Sequence, residues 1–129
     1  MVPEGLHYTA EHEWVTANEG DPSVVRVGIT DHAQDQLGDV VFVQLPDVGA
    51  AVSSGQSVAE VESTKSVSEI YAPLDGEVTA VNDQLSDTPE LINSDPYGSG
   101  WMMELRVADA DAVSGLLDAS AYRSLIDGS

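Results

Sequence analysis

The chain has 129 residues and 13.6 kDa, with 23 acidic against four basic side chains, a formal net charge of -19. A chain of this length encloses one core and removes roughly 65–70% of its unfolded surface from water. Four dispersed cations cannot make a phosphate-neutralising patch or hold an anionic membrane surface. The absence of Cys excludes disulfide, thiol and thiolate-metal chemistry, and no apolar run is long enough for a membrane helix.

The residues predict a single domain over 1–129, monomeric when free, acting in the cytoplasm with no nucleic-acid or membrane partner. The opening Met1-Val2-Pro3-Glu4-Gly5 has no basic and apolar signal pattern. Tyr8 to Val15 reads as a first strand, and Asn18-Glu19-Gly20-Asp21-Pro22 as a turn. Val24 to Ile29 is a second strand. Thr30 or Asp31 then caps a short helix over His32–Leu37, which Gly38 stops. Asp39 to Leu45 is apolar at most positions, the pattern of a strand buried on both faces.

Val58–Glu62 and Val67–Tyr71 alternate with period two and predict a β-hairpin with Lys65 at its connection. Glu77–Val81 is a further strand after the Pro73–Gly76 turn. Leu85 to Asn93 reads as a polar link anchored by Leu91 and Ile92. Asp95–Gly100 is a dense turn, and Trp101–Val107 a closing strand in which core filling explains one of Met102 and Met103. From about 109 to 127 the period becomes helical, with a stop near Gly128. Many short strands with Gly and Pro turns indicate a mainly β barrel or sandwich.

Lys65 is the only lysine in the chain. At a hairpin tip its amine is open to another enzyme, and acylation would make it the root of a flexible arm on a stiff support. A plain solubilising lysine is the competing reading. Glu62 and Glu69 bracket it, either as marks for a modifying enzyme or as solvated strand residues. Glu13, beside Trp14, offers a carboxylate next to an apolar shelf; a core tryptophan with an exposed neighbour fits the same letters. His7, His12 and His32 have no metalloprotease spacing, and no metal site is expected. Gly98-Ser99-Gly100 precedes a strand rather than a helix, so no nucleotide loop is expected.

Taken in order, these segments resemble the H-protein family of the glycine cleavage system. The resemblance runs from about Tyr8 to Ile126. It includes His12-Glu13-Trp14-Val15, Val27-Gly28-Ile29-Thr30-Asp31-His32-Ala33-Gln34, Val61-Glu62-Ser63-Thr64-Lys65-Ser66-Val67-Ser68-Glu69, and Pro89-Glu90-Leu91-Ile92-Asn93-Ser94-Asp95-Pro96-Tyr97-Gly98. It implies a lipoyl/biotinyl-type barrel-sandwich hybrid with a short internal helix and C-terminal helices. It implies lipoate bound as an amide to Lys65, recognition of Glu62 and Glu69 by lipoate-attaching enzymes, and an arm pocket near Glu13. The common Val-Lys-Ala of the family is Thr64-Lys65-Ser66 here, and Gln36 stands where some members place a pocket histidine.

The implied role is that of a non-catalytic carrier. It would shuttle an aminomethyl group and reducing equivalents derived from glycine. Its partners would be a pyridoxal-phosphate glycine decarboxylase, a tetrahydrofolate-dependent aminomethyltransferase and dihydrolipoyl dehydrogenase. Biotinyl sites, with methionine on each side of the lysine, and shorter 2-oxoacid dehydrogenase lipoyl domains match less of the chain.

Overall fold

In the computed structural model, which describes residues 2–18 and 20–127, the chain is mainly β. Its strands are β1 (His7–Tyr8), β2 (Glu13–Asn18), β3 (Asp21–Ile29), β4 (Val40–Gln44), β5 (Ala51–Val52), β6 (Ser57–Ser63), β7 (Val67–Tyr71), β8 (Gly76–Val81) and β9 (Met103–Val107). The helices are α1 (Asp31–Leu37), α2 (Gln84–Asp87), α3 (Leu91–Ser94) and α4 (Ala119–Asp127), with a 3-10 helix over Ala110–Gly115. One six-stranded sheet has the order β1-β2-β3-β9-β8-β5, and a three-stranded sheet the order β4-β6-β7. All pairings are antiparallel.

The main core lies between the sheets, where Val15, Val25, Val27 and Leu105 meet Val43, Val61 and Ile70. A second cluster at one end joins Tyr8, Trp14, Ala119 and Tyr122, with Tyr8 and Tyr122 stacked at 4.7 Å. This packing seats α4 on the β1–β2 hairpin. It gives the C-terminal helical segment an anchor that nine residues of helix would lack alone.

Several expectations are revised. The first predicted strand is two strands, because the chain turns between Thr9 and Glu13. His12 adopts φ 71°, and Thr9 N–H donates to the Glu13 carbonyl at 2.9 Å. β4 is not buried on both faces: Val41 and Phe42 are 51% and 53% exposed. An irregularity in the β4–β6 register between Val40 and Phe42 shifts the alternation, so Val40 and Val43 both turn inward. The Leu85–Asn93 link contains α2 and α3, single turns that sink Leu85 and Ile92 completely. Both Met102 and Met103 are fully buried, Met102 just ahead of β9 with its N–H on the Val27 carbonyl at 2.8 Å. The expected stop at Gly128 and the turn residue Glu19 lie outside the described residues.

α1 matches its sequence signals. Thr30 Oγ1 accepts from Ala33 N–H at 3.2 Å, capping the first turn, and Gly38 ends the helix at φ 84°. Asn93 fastens this helix end to β4. Its side-chain amide donates to Gln34 Oε1 and the Gly38 carbonyl, both at 2.9 Å, while its Oδ1 accepts from Val40 N–H at 2.8 Å. The exit of α1 is thereby held under the β6–β7 hairpin.

Candidate functional site

β6 and β7 pair antiparallel, and Lys65 stands exposed on the tip that joins them. The alternation predicted this hairpin, and the inward side chains are Ala59, Val61 and Ile70. Ser63, 7% exposed, organises the tip: its Oγ accepts from the N–H groups of Lys65 and Ser66, each at 3.1 Å. Ser63 N–H closes the turn on the Ser66 carbonyl at 2.8 Å, and Thr64 N–H ties the tip to the Asp39 carbonyl at 3.1 Å.

The lysine stem lies across Gly38. A Cβ built there would come within 2.9 Å of Lys65 Cε. Gly38 therefore serves twice, as a positive-φ helix stop and as the flat bed on which the lysine rests. The sequence signals identified the first use only.

Beside the tip is an open cavity of about 420 Å³ between α1 and β7. Ile29, Leu37 and Ile70 supply apolar lining. Glu11 and His12 come from the β1–β2 turn, His32 and Gln36 from α1, and Ser66–Ser68 from the hairpin. The two imidazoles sit 4.9 Å apart. Burial, then the neighbouring His32, lowers the His12 pKa, against an opposing pull from Glu11. His12 Nδ1 shares a 2.8 Å hydrogen bond with the Tyr122 hydroxyl, which shares another of 2.7 Å with Thr30 Oγ1. A chain of polar contacts thus runs from His12 in the cavity wall through Tyr122 of α4 to the cap of α1.

Glu13 does not line this cavity. It is 1% exposed; Thr9 Oγ1 donates to Oε1 and Tyr71 N–H donates to Oε2, each at 2.9 Å. Burial pushes its pKa up to about 7, although both hydrogen bonds pull the other way. The carboxylate fastens β2 to β7 and borders a separate opening of about 270 Å³ with Thr9, Ala72 and Leu117. Trp14 is no exposed shelf: it is 1% exposed, and its indole N–H donates to the Pro96 carbonyl at 2.9 Å. Gly28 is needed beneath it, since a Cβ there would lie 2.7 Å from the indole.

Glu62 and Glu69 are exposed on the outer face of the three-stranded sheet, and the Tyr71 hydroxyl donates to Glu69 at 3.2 Å. The sequence reading did not single out Ser63, His12 or His32 for this site. Of these, Ser63 carries a local signal, a serine hydroxyl two positions before the tip residue. The described residues contain no cluster suited to a metal ion and no helix long and apolar enough to cross a membrane.

An exposed lysine raised on a braced hairpin, with an apolar-floored cavity at its foot, is the arrangement of a carrier domain. Comparison with known proteins narrows the class. The family model described as Glycine cleavage H-protein matches residues 6–128. A glycine cleavage system H protein from Mycobacterium avium is 59% identical over 129 residues, covering 97% of this chain and 96% of that protein. One from Nocardia farcinica is 58% identical, covering 99% and 98%. The crystal structure of a glycine cleavage system H protein from Mycobacterium marinum superposes with a TM-score of 0.86 at 45% identity, covering 99% of this chain and 100% of that one. The chain belongs to the glycine cleavage H-protein family and is a non-catalytic carrier subunit of that system, with a lipoyl carrier role.

Proposed function

We propose that Lys65 carries the lipoyl group, and that the chain shuttles a glycine-derived aminomethyl group and reducing equivalents between three enzymes. These are a pyridoxal-phosphate glycine decarboxylase, a tetrahydrofolate-dependent aminomethyltransferase and dihydrolipoyl dehydrogenase. The observation that carries this reading is the setting of Lys65. It is the sole lysine, exposed at the hairpin tip, with its stem on Gly38 and an open cavity adjoining. Attached there, a lipoyl group supplies a dithiolane that accepts the aminomethyl group and is reduced as it does so.

The residues of the chain suit such an arm. The amine is reachable and forms an amide without disturbing a buried partner. Ser63, Thr64 and Asp39 hold the tip rigid, so the arm pivots from a fixed point. The apolar lining offers cover for an aliphatic stem, about 25 cal/mol for each Å² removed from water. Occupation of the cavity is a population shift, since the arm must also leave to reach its partners. The depressed His12 pKa leaves a neutral imidazole in the wall, which neither repels nor traps a cationic group through charge. Glu13 acts one layer back, by holding the backbone of Tyr71 in β7. Glu62 and Glu69 are the marks read by the lipoate-attaching enzyme.

Lys65→Arg tests the assignment. The arginine keeps the charge and much of the stem but cannot form this amide. The variant should unfold at the parental temperature, show no added lipoyl mass on intact-protein analysis, and support no glycine–bicarbonate exchange by the decarboxylase. A lipoylated Lys65→Arg chain would overturn the assignment.

A further inference from the structure

Of the five large hydrophobics that the described residues leave exposed, three lie on or beside the same sheet. They are Val41 at 51%, Phe42 at 53% and Val67 at 57%. The strand register sets their arrangement. Phe42 is directly opposite Glu62, which is directly opposite Val67. Two residues along each strand, Gln44, Glu60 and Glu69 form the next row. Direct partners in antiparallel strands share a face, so both rows lie on the outer side of β4-β6-β7. All six side chains are exposed. The row nearer the lysine tip is apolar at both ends, and the row behind it is acidic.

Resting on the lipoyl-carrier reading above, we propose that this outer face is the docking surface for the enzyme that acylates Lys65. Phe42 is its apolar anchor and Glu60, Glu62 and Glu69 its acidic frame. The occupant follows from reach and charge. Enzymes that work on the far end of a loaded arm need not touch the sheet beside its root. An enzyme that forms the amide must bring its own active site to Lys65 Nζ, which leaves the Phe42–Glu62–Val67 row next to it. An aromatic ring half in water, in the first outward row behind the lysine tip, is the kind of residue that dominates an interface once desolvated. The frame carries three carboxylates with no basic side chain in either row, so the complementary surface is basic around an apolar recess. The exposed Val48 and Leu125 have no such setting: Val48 lies in the loop after β4 and Leu125 on α4.

The test uses the full chain, a lipoate ligase and the decarboxylase. Phe42→Thr keeps a strand-forming residue while removing the ring, and Glu60→Arg reverses one charge of the frame without adding a second acylable amine. Thermal unfolding and circular dichroism establish that both fold. Acylation kcat/KM should fall at least tenfold for Phe42→Thr. For Glu60→Arg it should fall severalfold at low salt and depend less steeply on ionic strength than in the parent. Phe42→Thr lipoylated to completion with excess ligase should support glycine–bicarbonate exchange within about twofold of the parent. Acylation of Phe42→Thr within twofold of the parent overturns the inference, as does an exchange rate that falls as far as acylation does. A parent chain that accepts no lipoyl group at Lys65 fails the carrier reading, and this inference with it; a parent that is acylated beside an unaffected Phe42→Thr fails the inference alone.

Discussion

Glu13 is a carboxyl group enclosed by protein, yet both of its oxygens accept hydrogen bonds. Burial dominates and raises its pKa from an ordinary 4.5 to about 7. The folded chain then holds this proton more tightly than the unfolded chain does. The stability gained is full below about pH 4.5 and drains away as pH rises through about 7. Glu13→Gln mimics the neutral acid, with an amide that can donate to Thr9 Oγ1 and accept from Tyr71 N–H. Its stability relative to the parent should rise between about pH 5 and pH 8 in urea titrations. A constant difference across that range would show that Glu13 titrates normally. Glu13→Ala removes the acceptor and leaves a void, and should cost about 2 kcal/mol or more through the unpaired Tyr71 amide. The letters His12-Glu13-Trp14 gave no sign of this, because a strand carboxylate beside tryptophan is compatible with either face until the strand is placed.

At the scale of the element, the β6–β7 hairpin was readable in advance. Alternation at period two set the strands, and the polar run Ser63–Ser66 set the tip. The bracing of the tip was not readable, since Gly38 and Asp39 reach it from the end of α1, which Asn93 of α3 holds in place. Ser63→Ala deprives the amides of Lys65 and Ser66 of their common acceptor. Both lie on an exposed tip where water can replace the hydroxyl, so the stability loss should be about 1 kcal/mol. The acylation rate should fall further than this suggests, because the lysine loses its fixed starting point. Thermal unfolding and lipoylation kinetics on one preparation separate the effects; parental kinetics with lowered stability would reduce Ser63 to a structural turn residue. β4 shows how an element can be found while its orientation is misjudged. Its apolar letters gave the strand, but the bulge after Val40 turned Phe42 outward.

At the scale of the molecule, a charge of -19 spread over a 129-residue chain creates a field that reaches beyond any single contact. The arginines do little to offset it. Arg26 pairs with Glu104 and lies 4.4 Å over Trp101, Arg106 reaches Asp21, and Arg123 reaches Glu4. Each is spent within the chain's own surface, where such pairs contribute about 0–1 kcal/mol. Association with the decarboxylase should therefore be steered by a basic partner surface. Raising ionic strength from about 10 mM to 150 mM shortens the Debye length from about 30 Å to 8 Å. The stopped-flow association rate should drop about tenfold over that range. An unchanged rate would leave the acidity as a solubility property.

What the sequence alone determined was local: the α1 cap at Thr30 or Asp31 and stop at Gly38, the paired strands of the hairpin, and a single lysine between them. Each depends on residues within about a turn or a strand of one another, so spacing suffices to read it. The tertiary structure decided which of these features meet. Glu13 is bonded to Tyr71 across 58 positions, and His12 to Tyr122 across 110. The cavity exists because the β1–β2 turn, α1 and β7 converge beside one hairpin tip. Burial, and with it the pKa of Glu13 and the accessibility of Phe42, belongs to that convergence. A side chain's environment is made by elements distant in sequence, and no local pattern encodes which of them will arrive.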